Sequence, residues 1–336
     1  MAITIKDVAK LSGVSIGTVS RVINNIPGVK ESTRRRVLEV CNQYGYRQNL
    51  LASSLRGTRT RLIGCILSDL DNPLFSEFAL ILEQAARQIG YNVIVCHGRA
   101  EDEKIHQVIR ALQGHRVDGI VLFSSSHQAS EIVKEYIDRV PIVLQGIYED
   151  ETLHIPAVSV DNICGGRMAA KYLYSLGHRN VVYLGVRYTN ASHVLRYQGF
   201  KDTASRKKMM VKTLSNDGMS STMEVGYQLA KKLFFNGLTA TAVFAASDNM
   251  AIGVLTAAKE FEISVPGELS VLGFDNIRYS ALPYIQLTTI DQPKKALVET
   301  TLHYLLKFIQ SDSESVLETL LIQPSLIERS TCRKMH

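Results

Sequence analysis

The exposed face of a short helix near the start of the chain carries polar residues suited to binding a polyanion. Arg21 has a fork of N–H donors that can form two parallel hydrogen bonds with the edge of a guanine base. Thr18 and Ser20 add hydroxyl groups of the kind that hydrogen-bond phosphate oxygens. The chemistry that this face offers is hydrogen bonding to nucleic acid. The alternative is an ordinary helical hairpin with an exposed arginine.

Two short helices joined by a tight turn would position that face. Thr4 and Asp7 have the spacing of a capping box at the start of the first helix, and a Ser-Gly pair at positions 12 and 13 ends it. Ser15 is a good N-cap for a second helix that runs to about Ile23. The apolar residues at helical spacing are Ile5, Val8, Ala9, Leu11, Val19, Val22 and Ile23. Together these features predict a helix-turn-helix.

Charge is distributed unevenly along the chain. The 336 residues carry a formal net charge of +6. The first 61 residues hold eleven lysines and arginines against three acidic residues, so this part carries +8 and the remainder −2. A basic head on a nearly neutral body indicates a polyanionic partner for the head alone. A basic surface that is merely solvated is the alternative.

A third helix is predicted from about Glu31 to Gln43. The apolar residues expected to face inward are Val37, Leu38, Val40 and Cys41. Three arginines at positions 34–36 lie on the same helix, and at least one of them is expected on a solvated face. Lys30 stands where a Ser or Thr cap is usual. A nearby DNA phosphate would offset the cost of a cation at a helix N-terminus.

From Leu62 onward the sequence alternates between apolar strands and amphipathic helices. Strands are predicted at 62–67, 92–97, 119–123, 141–145, 181–185, 242–246, 270–274 and 326–330. Helices are predicted at 76–88, 103–113, 129–137, 165–176, 193–204, 223–235, 250–261 and 294–310. Two rounds of alternation indicate two parallel, doubly wound sheets, so the fold class is α/β behind an all-α head. Ligands of such sheets bind at the carboxyl ends of the strands, here in a cleft between two lobes.

The motifs of common enzymes and metal sites are missing or misplaced. Residues 13–17 match G-x-S-x-G, but a helix precedes Ser15 where a nucleophile elbow requires a strand. The sequence has no Gly-rich phosphate loop with a lysine, no H-E-x-x-H and no cysteine–histidine cluster with metal spacing. The five cysteines are scattered, as reduced core thiols are. We expect no enzyme activity, no cofactor and no resident metal.

Neither a signal peptide nor a membrane span is predicted. The N-terminus enters a helix at once, without a charged and then apolar leader. No apolar run approaches about 18 residues, the length needed to span a bilayer as a helix. We therefore expect a cytoplasmic protein with no membrane partner.

Three segments resemble the lactose/galactose repressor family of bacterial transcription regulators. They are GVSIGTVSRVINN at 13–25, the arginine-rich third helix, and NLLASSLRG at 49–57. Later motifs extend the resemblance along essentially the whole chain, namely VDN at 160–162, LGHRN at 176–180, LRYQGF at 195–200 and GFDN at 273–276. The resemblance implies a helix-turn-helix headpiece (1–46), a hinge helix and linker (47–60), and an effector core built like a periplasmic binding protein. The core would comprise an N-lobe (61–161 and 292–322) and a C-lobe (162–291 and 323–336).

Positions carried over from the family assign DNA contacts to the head. Base edges would be met by Ile16, Gly17 and Arg21. Phosphates would be contacted by Thr18, Ser20, Asn24 and Thr33. Leu55 in the hinge would wedge between base pairs in the minor groove, where two hinges meet; a plain linker with a buried leucine is the alternative. Gln48 departs from the proline that is usual before the hinge asparagine, so the hinge would be less pre-organised.

The same comparison assigns a small-molecule site to the cleft. The implied effector-binding residues are Leu74, Phe75, Arg196, Ser247, Asp275 and Gln292. Arg196 would hold effector oxygens and Asp275 would accept hydrogen bonds from ligand hydroxyls, a pair that suits a neutral sugar. Gly146 lies near the place where several relatives present an acidic sugar contact, which leaves the particular sugar open.

The resemblance implies a sequence-specific DNA-binding regulator, a repressor of genes for carbohydrate uptake or catabolism. It would bind a pseudo-palindromic operator as a homodimer, because a minor-groove wedge needs its symmetric partner. A small sugar effector would release it from DNA by changing the angle between the lobes. Two alternatives stay open. One is a sugar phosphate or purine co-repressor; the other is a constitutive regulator whose core is a protein-interaction module.

Overall fold

A computed structural model describes residues 3–23, 26–46, 59–98, 102–124, 128–146, 155–186, 190–216, 221–310 and 319–335. The chain forms two compact units, Met1–Thr60 and Arg61–His336, and each is described by itself. Asn24, Gln48, Leu55 and the predicted hinge helix lie outside the described residues.

The described part of the first unit forms three helices, α1 (Ile5–Ser12), α2 (Ile16–Ile23) and α3 (Glu31–Gln43). Thr4 and Asp7 make the expected capping box at the start of α1. Ser15 precedes α2 as predicted, and its Oγ accepts a hydrogen bond from the backbone N–H of Thr18 at 3.1 Å. The buried core of this unit comprises Val8, Ala9, Val19, Val22, Val37 and Cys41.

The inner face of α3 differs from the prediction at Leu38. Leu38 is 44% exposed, because Val37 and Cys41, one turn apart, already form the stripe that packs against α1 and α2. Arg34 instead turns toward α2 and donates hydrogen bonds to the carbonyls of Val22 and Ile26 at 3.4 and 3.2 Å. The first bond satisfies a carbonyl in the last turn of α2, and the second joins α3 to the chain beyond that helix. One of the three successive arginines therefore holds the headpiece together.

The second unit contains two sheets with helices on both faces. Its strands are β1 (Leu62–Leu67), β2 (Asn92–His97), β3 (Gly119–Ser124), β4 (Ile142–Gly146), β5 (Ala157–Val160), β6 (Asn180–Val186), β7 (Met210–Asn216), β8 (Ala242–Ala245), β9 (Ser270–Asp275), β10 (Thr288–Asp291), β11 (Leu320–Ile322) and β12 (Ser325–Ile327). Its helices are α4 (Pro73–Gln88), α5 (Asp102–Gly114), α6 (Ala129–Tyr136), α7 (Asn162–Ser175), α8 (Ala191–Arg206), α9 (Met223–Phe235), α10 (Asp248–Glu260) and α11 (Lys294–Gln310), with a 3-10 turn at Arg278–Ala281.

The first sheet has the strand order β11-β5-β4-β3-β1-β2, and all of its pairings are parallel. Val121 and Phe123 point to one core, which α4 and α11 cover. Ile120 and Leu122 point to a second core, which α5 and α6 cover. Strands buried on both faces in this way read as continuous apolar runs, which is why the sequence predicted them. We call this sheet and its helices the first lobe.

The second sheet has the order β12-β10-β9-β8-β6-β7. Its pairings are parallel except that β12 runs antiparallel to β10. Tyr183 and Phe244 lie in the core beneath α7 and α8, while Val182 and Val243 lie in the core beneath α9 and α10. We call this sheet and its helices the second lobe. The predicted α/β class with two doubly wound parallel sheets is confirmed.

Several strands are shorter or more polar than the sequence pattern can reveal. β5, β7, β10 and β11 were not among the predicted strands. β7 lies at a sheet edge and has the mixed sequence MVKTLSN, whereas β5, β10 and β11 are only three or four residues long. The last strand was predicted at 326–330 and is found at Ser325–Ile327. Tertiary pairing defines these strands more than their own residues do.

Three described segments carry the chain between the sheets. They are residue 161 between β5 and α7, residues 292–293 between β10 and α11, and residues 323–324 between β11 and β12. The carboxyl ends of the parallel strands of both sheets therefore meet near these crossings. Within the described parts of the chain, no helix is long and apolar enough to span a membrane.

Candidate functional site

The exposed face of α2 carries most of the residues predicted to contact DNA. Val19 and Val22 are buried beneath the helix, whereas Gly17 and Arg21 are exposed. Ile16 is half-buried and packs against the headpiece core. The predicted base-reading set thus combines one exposed cation, one bare backbone position and one apolar residue at the margin of the core.

The predicted phosphate contacts surround that face. Thr18 and Ser20 are half-buried on α2, and the hydroxyls of Thr18 and Ser15 lie 2.9 Å apart. Thr33 is half-buried in the first turn of α3, where its N–H donates to the carbonyl of Lys30 at 3.0 Å. Lys30 stands at the cap without a side-chain capping bond, as its residue type predicts.

A cleft that is partly open to solvent lies in the second unit, at the carboxyl ends of the parallel strands of both sheets. All six predicted effector residues line it. Asn72 caps α4 by accepting the N–H of Leu74 at 3.0 Å, and Pro73 opens the helix, so that Leu74 and Phe75 face the cleft. The first lobe thus presents apolar side chains to the cleft from the beginning of one helix.

The second lobe presents a buried ion pair to the same space. An Nη of Arg196 lies 3.3 Å from an Oδ of Asp275, and the two residues are only 4% and 1% exposed. The Nε of Arg196 donates to Oδ1 of Asn162 at 2.8 Å, and the guanidinium also donates to the carbonyl of Ala246. The Cζ atom of Arg196 lies 3.7 Å from the ring centre of Phe274, in the geometry of a cation–π contact. The guanidinium is therefore fixed before any ligand arrives.

Gly199 explains how α8 brings Arg196 to this position. A Cβ on Gly199 would lie 2.1 Å from the carbonyl oxygen of Ile163 in α7. The two helices can therefore approach closely only with glycine here. That approach places Arg196 against Asn162, at the start of α7.

Asp275 ends β9 in an unusual backbone conformation. Its φ is 119°, in the region that favours glycine. Burial raises the pKa of its carboxyl, while the charge of Arg196 and a 2.6 Å hydrogen bond from the amide of Gln292 act in the opposite direction. Gln292, at the crossing after β10, thus positions the carboxylate from outside its own strand. Ser247 caps α10 by accepting the N–H of Met250 at 3.3 Å, and its hydroxyl proton can still be donated into the cleft.

Comparison with known proteins finds relatives that match essentially the whole length of the chain. Residues 4–49 match the model described as bacterial regulatory proteins, lacI family, and residues 170–332 match a periplasmic binding protein-like domain. Catabolite control protein A of Priestia megaterium is 31% identical over 329 residues, which cover 98% of each chain. The chain belongs to the lacI family of bacterial regulatory proteins.

Other lacI-family members agree with this placement. The transcriptional repressor PurR of Mannheimia succiniciproducens is 32% identical over 336 residues, which cover 99% of each chain. A crystal structure of the Lac repressor dimer bound to operator and the anti-inducer ONPF superposes with a TM-score of 0.87 at 27% identity, covering 99% of this chain and 100% of that one. The chain is thus a transcriptional regulator with a helix-turn-helix DNA-binding head and an effector-binding core.

Asp248 is a buried residue of this lacI-family core that sequence reasoning missed. Its carboxylate accepts hydrogen bonds from the hydroxyls of Ser280 and Thr289, both at 2.5 Å, and from the N–H of Ile277 at 3.0 Å. Burial and the nearby charge of Asp275 raise its pKa to about 7. It anchors the segment that follows Asp275. The motif SDNM at a strand end was its only sequence signal.

His193 and several neutral polar residues complete the lining of the cleft. Burial and the charge of Arg196 hold the pKa of His193 well below its usual value, so the ring is neutral. The other polar lining residues are Asn72, Ser124, Gln145, Ser159, Asn162, Asn190, Ser192 and Ser221. The sequence offered one signal for these residues, which is that many of them lie at or just after the ends of predicted strands.

Gly146 forms part of the cleft wall. A Cβ there would lie 1.8 Å from the carbonyl oxygen of Ser124 on the neighbouring strand. No side chain fits this position without movement of the backbone, so the wall here is main chain.

A cluster of three or more histidine, cysteine, aspartate or glutamate side chains suited to hold a metal is absent from the described residues. The five cysteines are free thiols.

Proposed function

We propose that this regulator is a repressor of carbohydrate uptake or catabolism genes, released from its operator by a small neutral sugar. The observation that carries the ligand class is the buried Arg196–Asp275 pair facing the cleft. A bound sugar would accept from the guanidinium and donate to the carboxylate. The protein would act in the bacterial cytoplasm, without enzymatic activity.

The charge balance of the cleft supports a neutral ligand. Arg196 and Asp275 are the only charged side chains among the described lining residues, and each neutralises the other. His193 stays uncharged because it is buried beside Arg196. A phosphate group would therefore meet no surplus positive charge. Amides and hydroxyls dominate the rest of the polar lining, which suits the hydroxyl groups of a sugar.

The apolar side of the cleft supports the same class. Leu74, Phe75 and Phe78 of α4, with Leu297 of α11, line the space opposite the ion pair. Sugars carry C–H faces as well as hydroxyls, so a site with one apolar wall and one polar wall matches them. A flat purine could also pack against this apolar wall, and it is the second candidate.

The exposed face of α2 supports the DNA-binding half of the proposal. We propose that Ile16, Gly17 and Arg21 meet base edges, that Thr18, Ser20, Asn24 and Thr33 contact phosphates, and that Leu55 is the minor-groove wedge. The repressor would bind as a homodimer, as the related Lac repressor does on its operator. Two symmetric heads require a pseudo-palindromic site.

A ligand screen on the full-length protein tests the proposal. Thermal unfolding would be followed with neutral sugars and polyols, sugar phosphates, and purines. A ligand at 100 times its Kd adds about 2.7 kcal/mol of stability, which raises the Tm by a few degrees in a protein of this size. We expect hits among neutral sugars. Hits confined to phosphates or purines would favour a co-repressor, and a flat panel would favour a constitutive regulator.

The hit must then change DNA binding. A duplex selected from a random pool serves as operator, and fluorescence anisotropy measures its Kd with and without the sugar. We expect weaker binding with the sugar. Arg196→Met should remove the response, because the variant cannot donate to ligand oxygens.

A further inference from the structure

Glu77 joins the two lobes beside the cleft. It lies on α4 of the first lobe, within one turn of the cleft-lining residues Leu74 and Phe78. Its Oε1 accepts a hydrogen bond from the backbone N–H of Arg278 in the second lobe, at 2.8 Å. Its Oε2 lies 3.5 Å from Nζ of Lys294, and these two side chains are only 15% and 14% exposed. Such a shielded pair is screened less than a surface ion pair.

Lys294 reaches the second lobe from the first residue of α11. That helix packs against α4 and the first sheet. The ammonium group donates to the carbonyls of Asp275 at 3.2 Å and Asn276 at 2.5 Å. The pair formed by Glu77 and Lys294, which we call the lobe latch, therefore holds backbone groups of residues 275, 276 and 278 from the opposite lobe.

The held segment begins at the residue that faces the ligand. Asp275 and Asn276 both have positive φ, 119° and 52°, so this segment is strained and needs external support. Asn276 is further tied to Asp291 and Arg329 at 2.8 and 2.7 Å. The carboxylate of Asp275 points into the cleft while its carbonyl binds the latch. A change at the ligand site thus reaches the interlobe contact through one residue.

We infer that the lobe latch couples ligand binding at Asp275 to the angle between the lobes. Rotation of one lobe against the other must stretch the bonds to Arg278, Asp275 and Asn276. A ligand that holds Asp275 in place also restrains the backbone groups that the latch binds, which are the carbonyls of residues 275 and 276 and the N–H of residue 278. The inference rests on the proposed function for the ligand, but the mechanical role of the latch does not depend on the ligand class.

Two measurements on the full-length protein test the latch. The first needs no ligand: single-molecule FRET between dyes at the exposed Gln107 on α5 and Lys232 on α9 of one chain, with unlabelled chain in excess. The wild type should give one narrow distribution of distance, whereas Glu77→Ala and Lys294→Met should broaden or shift it. Glu77→Gln keeps the acceptor for Arg278 but loses the charge, so it should give an intermediate result and guards against misfolding of the alanine variant.

The second measurement is the ratio of operator Kd values with and without saturating sugar. In the latch variants, the sugar-induced change in operator Kd should be at least tenfold smaller than in the wild type. Matched controls are Glu83→Gln, whose carboxylate pairs with Arg87 on the surface of α4, and Lys295→Gln, which pairs with Glu299. Both controls should behave as the wild type.

The two measurements distinguish a failure of the latch from a failure of the ligand proposal. If the latch variants keep the wild-type distances and the wild-type ratio, the latch is overturned. If the wild type responds to no sugar, the ligand proposal fails, and the ligand-free distances alone decide the latch.

Discussion

Helix α2, which we propose to face DNA, and the cleft hold their functional groups in opposite ways. Arg21 and Gly17 are exposed on α2, and Arg21 would find its partner in the DNA. Arg196 and Asp275 are 4% and 1% exposed and are already paired with each other. Arg21 and Gly17 thus lie on a surface that contributes little to folding, whereas the Arg196–Asp275 pair is part of the packed interior of the core. Substitutions on the exposed face of α2 should therefore change DNA binding without changing stability. Substitutions of the ion pair in the cleft should change both ligand binding and stability.

The largest effect should follow Asp275→Ala. Removing one partner of a buried ion pair leaves an uncompensated charge, so the free energy of unfolding should fall by about 3–5 kcal/mol, and the sugar response should disappear. Urea unfolding of the full chain measures the first effect and the ligand screen the second. Asp202→Ala, on the exposed side of α8, is the matched control and should change stability by less than about 0.5 kcal/mol. A stable variant that still binds sugar would break the comparison.

Asp248 should make the core sensitive to pH. Burial raises its pKa from 3.8 to about 7, so between these values the folded protein binds a proton that the unfolded chain releases. Stability relative to Asp248→Asn should therefore be highest below about pH 4 and should fall by about 1.4 kcal/mol per pH unit toward pH 7.

Parallel urea titrations of the wild type and the asparagine variant from pH 4 to 8 measure this difference. Groups remote from Asp248 titrate alike in both proteins, so the difference reports Asp248 together with its close neighbour Asp275. A difference that does not vary with pH would mean that the three hydrogen bonds keep the carboxylate ionised.

Arg21→Ala should affect binding alone. It should cost about 1–3 kcal/mol and relax base preference at one operator position, because a bidentate contact to one base is lost. The unfolding free energy should stay within about 0.5 kcal/mol of the wild type, because Arg21 is exposed. Selection from random duplexes, with wild type and variant side by side, reports the preference. Equal weakening on every sequence would assign Arg21 to the phosphate backbone instead.

Arg34→Ala should show the smallest effect and sharpen the comparison within the headpiece. Arg34 donates to two carbonyls near the end of α2, so its loss should lower headpiece stability by about 1 kcal/mol. Arg35→Ala, on an exposed position of the same helix, should leave stability unchanged. Thermal unfolding of the two variants distinguishes them, and equal midpoints would contradict a structural role for Arg34.

Elements with a strong internal pattern were predictable from the sequence. The bounds of α3 and α11 match the prediction at both ends, because helical spacing and flanking residues define them locally. β7 was missed because an edge strand needs only one buried face, and its neighbour supplies the pairing. Leu38 was wrongly predicted to face inward. It stands in a run of apolar residues, and the sequence does not show which side of α3 packs against α1 and α2.

The candidate site divides in the same way. Family motifs predicted six effector-binding residues, and the structure places all six along one cleft. Asp248 and Glu77 were missed because their partners lie far away in the chain. His193 was missed because helical spacing alone does not show which face of a helix will line a cleft. Glu77, for instance, meets Arg278, which is 201 positions distant. Spacing along a helix carries no information about such a partner.

The lack of room for a Cβ at Gly146, beside the carbonyl of Ser124, limits how this protein can change. Any residue larger than glycine at 146 must first push two strands apart, so a single substitution cannot install an acidic sugar contact there. New ligand preferences must instead arise at positions with room for side chains, such as Phe75 and Ser221. Libraries built to turn this regulator into a sensor for another compound should vary those positions and leave Gly146 unchanged.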